Sequence, residues 1–372
     1  MRILQVCTTY RSHFGGVAEH VRNISERLAR KHEVTVACTD PVGGLQKEEV
    51  VNGVQIKRFK SWAPSAAYYA SIDLAKYLKQ KSGDFEIVHA HNYHAFPALY
   101  AAQSKSSNGF VFTSHFHGGG HTFIRDLLHI PYKYVGKRIF EKADRVVCVS
   151  RYEQSLVKKA FKVNDEKITI IPNGLDPNEF DGLSKNKEHS YRSILYVGRL
   201  EKYKGLQYVI KSLQVLDQDI CLEVVGTGPY QKALVKLANN LGVTDRIRFF
   251  KVLSRKELLE RYAAAQLVVL LSRHEAYGMC VGEALAARTP CIVANTSALR
   301  QWVDGENCFG IDHPVSVEEL TRMIYRVMGR KISFRLRLPS WDEVVEMLIA
   351  LYDEVRIVRQ DRFHVEATYQ SL

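Results

Sequence analysis

Short apolar runs alternate with amphipathic stretches almost from one end of the chain to the other. RILQVCT (2–8), EVTVACT (33–39), VQIKRF (54–59), EIVHAH (86–91), GFVFTSH (109–115), RVVCVS (145–150) and KITIIP (167–172) have the length and the Val/Ile content of buried strands. Between them, VAEHVRNISERLARK, IDLAKYLKQKS and YEQSLVKKAF place apolar residues at helical spacing. The alternation predicts βαβ units around a parallel sheet.

The rhythm breaks after IPNGLDPNEF (171–180), where DGLSKNKEHSYRS is polar and rich in turn formers. It then restarts with ILYVGRL (194–200), ICLEVVG (220–226), IRFFKV (247–252), AQLVVLLS (265–272) and PCIVAN (290–295). Two parallel-sheet domains are expected, 1–175 and 190–339, with a cleft between them. The tail SWDEVVEMLIALYDEVRIVRQ reads as a long final helix spanning 340–372, with Ser340 as N-cap and Val344, Leu348 and Leu351 on its apolar face.

Composition changes this picture little, but charge adds to it. A chain of 372 residues with 46% hydrophobic and 25% charged residues suits two ordinary globular domains. The net charge of +12 calls for an anionic partner: nucleotide, nucleic acid or acidic membrane. No helix-turn-helix, zinc-finger spacing or RNP-like strand supports nucleic acid. No apolar run approaches the roughly 18 residues of a membrane span, and MRILQVCTTY reads as a first strand rather than a secretory signal. Seven cysteines without a CxxC pair suggest reduced thiols in a cytoplasmic protein.

Three segments of the second half carry candidate chemistry. YVGRLEKYKGL (196–206) leaves a strand at Gly198 and presents Arg199 and Lys204, a planar fork and a point charge that together suit a pyrophosphate. A solvated basic loop is the plainer alternative. VVGTGPY (224–230) offers Gly226 and Gly228 for close backbone approach to a ligand, although Gln231 stands where a dinucleotide fingerprint wants a small residue. In SRHEAYGMCVGEALAARTP (272–290), Glu275 falls on a loop after a buried strand and Glu283 inside a helix expected over Gly282 to Ala287. Glu283 is expected to reach back toward the amides of residues 278 and 279, because helical side chains lean N-terminally. Carboxylates bordering an anion pocket point to sugar hydroxyls.

Taken in order, FGGVAEHV, VHAHNYHAFPAL, TSHFHGGGH, IPNGLD, YVGRLEKYKGL, VVGTGP and HEAYGMCVGEALAARTP resemble the retaining glycosyltransferases of family 4 over nearly the whole chain. The resemblance implies the GT-B architecture: α/β, two Rossmann-like domains facing across a cleft, and a C-terminal helix returning to the first. It implies transfer of a hexose from a nucleoside diphosphate sugar, with a UDP-sugar favoured and GDP-mannose the other option, to a hydroxyl of a lipid, glycan or small molecule.

Residue by residue, the resemblance implies that Arg199 and Lys204 hold the diphosphate, with Gly198, Gly226, Lys251 and Val252 lining the donor site. Glu275 lies beside the donor sugar, and the backbone of Ala276, Tyr277, Gly278 and Met279 contacts sugar and phosphate. Glu283 binds the ribose, Gly15 and Gly16 close over the phosphate, and His115 faces the reacting carbon. Arg288 and Lys251 depart from the family by standing where glycine is usual.

No metal is expected, because basic residues and helix dipoles serve the diphosphate, although HAHNYHA and SHFHGGGHT are histidine-dense. The aromatic and basic stretch 121–142 is either a solvated helix face or a contact with an anionic bilayer carrying a lipid-linked acceptor at the inner membrane face. A sugar-nucleotide epimerase and a non-catalytic nucleotide or nucleic-acid binder are the alternatives in other classes.

Overall fold

The structure, a computed structural model, describes residues 1–11, 15–64, 68–118, 123–183, 191–251, 253–328, 330 and 338–370, with backbone alone for 123–131 and 360–370. It divides into two units, Met1–Gly174 with Trp341–Leu372, and Leu175–Ser340.

The first unit runs β1 (Arg2–Val6), α1 (Gly16–Leu28), β2 (Glu33–Asp40), β3 (Glu48–Val51), β4 (Val54–Lys60), α2 (Ile72–Lys81), β5 (Ile87–His91), α3 (Phe96–Gln103), β6 (Gly109–Thr113), α4 (Phe123–Lys142), β7 (Arg145–Cys148), α5 (Arg151–Phe161) and β8 (Ile168–Ile170). Its eight strands are ordered β3-β4-β2-β1-β5-β6-β7-β8, all parallel except β3 against β4. Every residue of β5 and β6 is buried, as expected of central strands covered on both faces. The sequence pattern missed β3. It is an edge strand with Val50 71% exposed, joined to β4 through Asn52 and Gly53, both at positive φ in the manner of a tight hairpin turn.

The second unit runs β9 (Arg192–Val197), α6 (Leu206–Ser212), β10 (Ile220–Val225), α7 (Gln231–Asn240), β11 (Ile247–Phe250), α8 (Arg255–Ala264), β12 (Leu267–Leu270), α9 (Met279–Ala286), β13 (Cys291–Ala294), β14 (Cys308–Ile311) and α10 (Val317–Val327). The order β11-β10-β9-β12-β13-β14 is wholly parallel, with β14 a short strand that the sequence pattern also missed.

The final helix α11 (Trp341–Gln370) belongs to the first unit. Val344, Leu348, Leu351 and Tyr352 are buried. Gly109 makes room for it, since a Cβ there would lie 2.6 Å from Val355 Cγ1, and Gly174 lets the chain pass Trp341, whose backbone is 2.7 Å from the same hypothetical atom. No helix among the described residues is long and apolar enough to cross a membrane.

Candidate active site

In the second unit, β9 and β12 are neighbours where the strand order reverses. Loops leaving the C-terminal ends of such strands diverge and leave room for a ligand. Lys204 lies on one of these loops and Glu275 on the other.

Backbone packing places the first loop. Gly198 N–H donates to Val225 O (3.0 Å), Leu200 N–H to Thr227 O (2.9 Å) and Tyr230 N–H to Leu200 O (3.0 Å). A Cβ on Gly226 would lie 2.1 Å from Gly198 O, and one on Gly228 would lie 2.3 Å from Leu200 O. The two glycines thus let one loop nest on another, a reason for them that the strand-to-glycine pattern does not reveal. Gly205, at φ +78, docks the same loop on the end of β12, with its hypothetical Cβ 2.4 Å from Leu271 O. Arg273 N–H then donates to Tyr203 O (2.9 Å).

This docking brings Lys204 Nζ to 2.5 Å from Glu275 Oε1, with the two side chains 13% and 16% exposed. The ammonium also lies 5.3 Å from the Tyr203 ring centroid. Burial works against the lysine charge, but the Glu275 carboxylate together with Tyr203 and Tyr196 outweighs it and holds the pKa above the usual lysine value. Arg199 is half-exposed, with Nε 3.4 Å from Glu201 Oε1.

The second loop is pinned from behind. Glu275 N–H donates to Ser297 Oγ (3.2 Å), Ala298 N–H to Glu275 O (3.3 Å) and Trp302 Nε1–H to Tyr277 O (2.7 Å). Ala276 and Tyr277 lie on this pinned segment, and Gly278, at φ +96, turns the chain into α9. The helix begins at Met279, earlier than the expected Gly282, and its N-terminal end carries the positive pole of the helix dipole.

Glu283 does not turn back to the amides of 278 and 279. Its two oxygens are taken by Arg255 Nη1 and by the Tyr262 hydroxyl, the latter at 2.9 Å. Arg255 and Tyr262 both come from α8, which packs beside α9, and an opposite charge with a hydroxyl outcompetes the distant amides. Arg255 also donates to Glu179 Oε2 (2.7 Å); burial opposes its charge, but Glu283 and Glu179 together outweigh that burial, so its pKa rises.

Arg288 occupies a left-handed position, φ +59, just past α9. Its N–H donates to Leu285 O (2.9 Å) while Thr289 N–H donates to Ala284 O (2.8 Å). That is the Schellman ending, where glycine is the usual residue, so the departure at Arg288 is accommodated in backbone and not in the pocket. Lys251 is exposed on the bend after β11, and Val252 lies outside the described residues.

The remaining expected residues lie in the first unit. Gly15 caps α1 and Gly16 opens it, and a Cβ on either would meet nothing within 4 Å. His115, after β6, is buried and left-handed at φ +47. Its neighbours are held by Glu153, which accepts from Ser114 Oγ (2.5 Å), Phe116 N–H (2.6 Å) and Val149 N–H (2.6 Å). Among the described residues one group has the composition of a metal site: His20, His91 and His115, with a ring nitrogen of each within 4.8 Å of the others. Of the stretch 121–142, Lys133, Lys137, Arg138 and Lys142 are exposed on α4, whereas the side chains of 121–131 are not described.

Sequence reasoning missed Arg255, Tyr262, Ser297, Glu153 and His20. Ser254 and Glu257 form a capping box that marks the start of α8 and hence Arg255 at its first position, but not its target. His20 stands on the buried face of an amphipathic helix, a position that reads as core.

Two family models match in tandem: Glycosyltransferase Family 4 over residues 14–179 and Glycosyl transferases group 1 over 179–337. An uncharacterized glycosyltransferase of Methanocaldococcus jannaschii is 25% identical over 91% of this chain and 94% of its own. A glycogen synthase of Mycobacterium tuberculosis is 28% identical over 82% of this chain and 80% of its own. Sucrose-phosphate synthase from Thermosynechococcus elongatus superimposes with a TM-score of 0.72 at 18% identity, covering 99% of this chain and 100% of that one. HepE of Anabaena, solved in complex with UDP, gives 0.70 at 18% identity with full coverage of both. The fold is GT-B, two Rossmann-like parallel-sheet domains. The chain belongs to the family 4 glycosyltransferases and is an enzyme of that class.

Proposed function

We propose that this enzyme moves a hexose from a nucleoside diphosphate sugar to an acceptor hydroxyl with retention of configuration. The observation that carries the reading is the buried Lys204–Glu275 pair at the strand-order reversal, beside the N-terminus of α9. As the bond from the anomeric carbon to the diphosphate oxygen breaks, its electron pair passes to the diphosphate. Arg199, Lys204 and the helix dipole are suited to that growing charge, with Lys204 exchanging Glu275 for phosphate. The acceptor oxygen bonds to the same face of the anomeric carbon, and its proton passes to the leaving phosphate oxygen. No divalent ion is assigned to this step.

Each Glu283 oxygen already accepts one donor and has lone-pair capacity for ribose hydroxyls. Glu275, once released by Lys204, is free to accept from hexose hydroxyls. A uridine donor is favoured over guanosine because the GT-B neighbour HepE was solved with UDP and with UDP-glucose. The acceptor is a hydroxyl of a lipid, glycan or small molecule. Seven free cysteines fit a reducing, cytoplasmic setting, with the inner membrane face the place for a lipid-linked acceptor.

The test is a thermal-shift comparison of UDP-, GDP- and ADP-sugars, followed by NMR of the anomeric proton in the product. Uridine nucleotides are expected to raise Tm most, since a ligand bound only by the native state stabilises by mass action. Product of inverted configuration, or no stabilisation by any nucleoside diphosphate, overturns the reading. Near wild-type transfer by Glu275→Ala overturns the proposed site.

A further inference from the structure

His20 on α1, His91 at the end of β5 and His115 after β6 bring three imidazoles together inside the first unit. Their exposures are 1%, 0% and 8%. His20 Nε2, His91 Nδ1 and His115 Nε2 are each buried without a hydrogen-bond partner among the described residues. A buried polar atom left in that state is unfavourable, and three at one place ask for a common ligand.

The opposite nitrogens define what the ligand is. His20 Nδ1 lies 2.8 Å from Asn173 Oδ1, and His91 Nε2 lies 2.7 Å from Gln5 Oε1. A carboxamide oxygen only accepts, so each outer nitrogen carries the hydrogen and each inner nitrogen presents a lone pair. Gln5 is fixed in turn, because its Nε2 donates to the Tyr352 hydroxyl (3.3 Å). On His20 and His91 an outer nitrogen donates to a fixed oxygen, while one ring nitrogen of each of the three histidines lies within 4.8 Å of the others, the arrangement that orients imidazoles on a metal. Burial keeps the rings neutral as ligation requires, holding His20 down at about 4 and His91 and His115 well below the ordinary value.

We propose that His20, His91 and His115 form a site for one divalent transition cation of zinc-like chemistry, with a fourth position open to water. Three neutral imidazoles without a carboxylate favour a borderline cation over magnesium or calcium. Tetrahedral Zn–N bonds of about 2.05 Å place nitrogens roughly 3.4 Å apart. From the 4.8 Å limit, each ring nitrogen moves inward by less than about 1 Å, within the reach of a χ adjustment. The transfer step is not routed through this ion, so binding is read directly.

The experiment uses full-length protein without a histidine tag, stripped of metal and titrated with Co²⁺ and then Zn²⁺. One equivalent per chain is expected, with the intense visible bands of four-coordinate cobalt bleached by zinc. His20→Gln and His91→Gln each remove the equivalent while His313→Gln, exposed in the other unit, keeps it. Asn173→Ala weakens binding by about 10–100-fold, as loss of an orienting partner does elsewhere. X-ray absorption on the wild-type zinc form covers the case of a variant that fails to fold: three imidazole nitrogens at about 2.0–2.1 Å are expected. Absence of a bound equivalent, retention of it in His20→Gln, or a zinc shell with fewer than three imidazoles overturns the proposal.

Discussion

Lys204 Nζ lies 2.5 Å from Glu275 Oε1, although the two residues stand on separate loops and both are largely shielded from water. Removing one partner leaves the other charge buried and unpaired. Lys204→Met is therefore expected to destabilise the protein by about 3 kcal/mol and to lower transfer by about 10²–10³-fold. The double variant Lys204→Met, Glu275→Gln regains most of the stability without regaining activity. Urea unfolding and steady-state kinetics on the two variants and the wild type separate the two effects.

Arg255 is assigned as a positioning residue, since it donates to Glu283 and to Glu179 and so holds the carboxylate proposed to meet the ribose. Arg255→Ala is expected to raise the donor KM by about 10-fold, the value of one charge-assisted hydrogen bond, with a smaller change in kcat. Arg255→Lys recovers part of that loss. Equal losses in kcat for both variants would place Arg255 in the reaction itself.

Gly226→Ala is expected to cost more than about 2 kcal/mol of stability. Its new methyl would meet Gly198 O at 2.1 Å from a residue at φ +141. Gly15→Ala, where nothing lies within 4 Å, is expected to leave stability near the wild-type value. Chemical unfolding midpoints of the two variants decide whether the glycine after β10 serves packing.

Burial pushes the Glu153 carboxyl from 4.5 up to about 7, against the opposing pull of Ser114 and the amides of Val149 and Phe116. The native state thus binds a proton that the unfolded chain releases. The associated stability is present in full below pH 4.5 and is lost as pH rises through 7. It amounts to on the order of 3 kcal/mol. Tm followed from pH 4.5 to 8 should fall with this component in the wild type and lack it in Glu153→Gln. A constant difference between the two across that window contradicts the assignment.

The central strands were legible because they are buried on both faces and therefore read as continuous apolar runs. The edge strand β3 was not, since half of its side chains meet water and its pattern is that of a loop. Its one signal was Asn52-Gly53. Glu275 and Glu283 were legible as loop and helix residues because a buried strand and a Thr289-Pro290 stop bracket them. The partners of Glu283 were not legible, since nothing local in α8 states that it lies beside α9.

The amino-acid order alone determined the alternation of strand and helix, its restart in a second series, and the residue types collected after each strand. Those features follow from burial along a single element, which repeats with that element's own period. Tertiary structure decided which side chains meet: Lys204 with Glu275, Arg255 with Glu283, and three histidines from α1, β5 and the β6 loop. Such pairings depend on how closely separate backbones approach. For Lys204 and Glu275 that distance is set by glycines at loop crossings, whose effect no residue's own periodicity records.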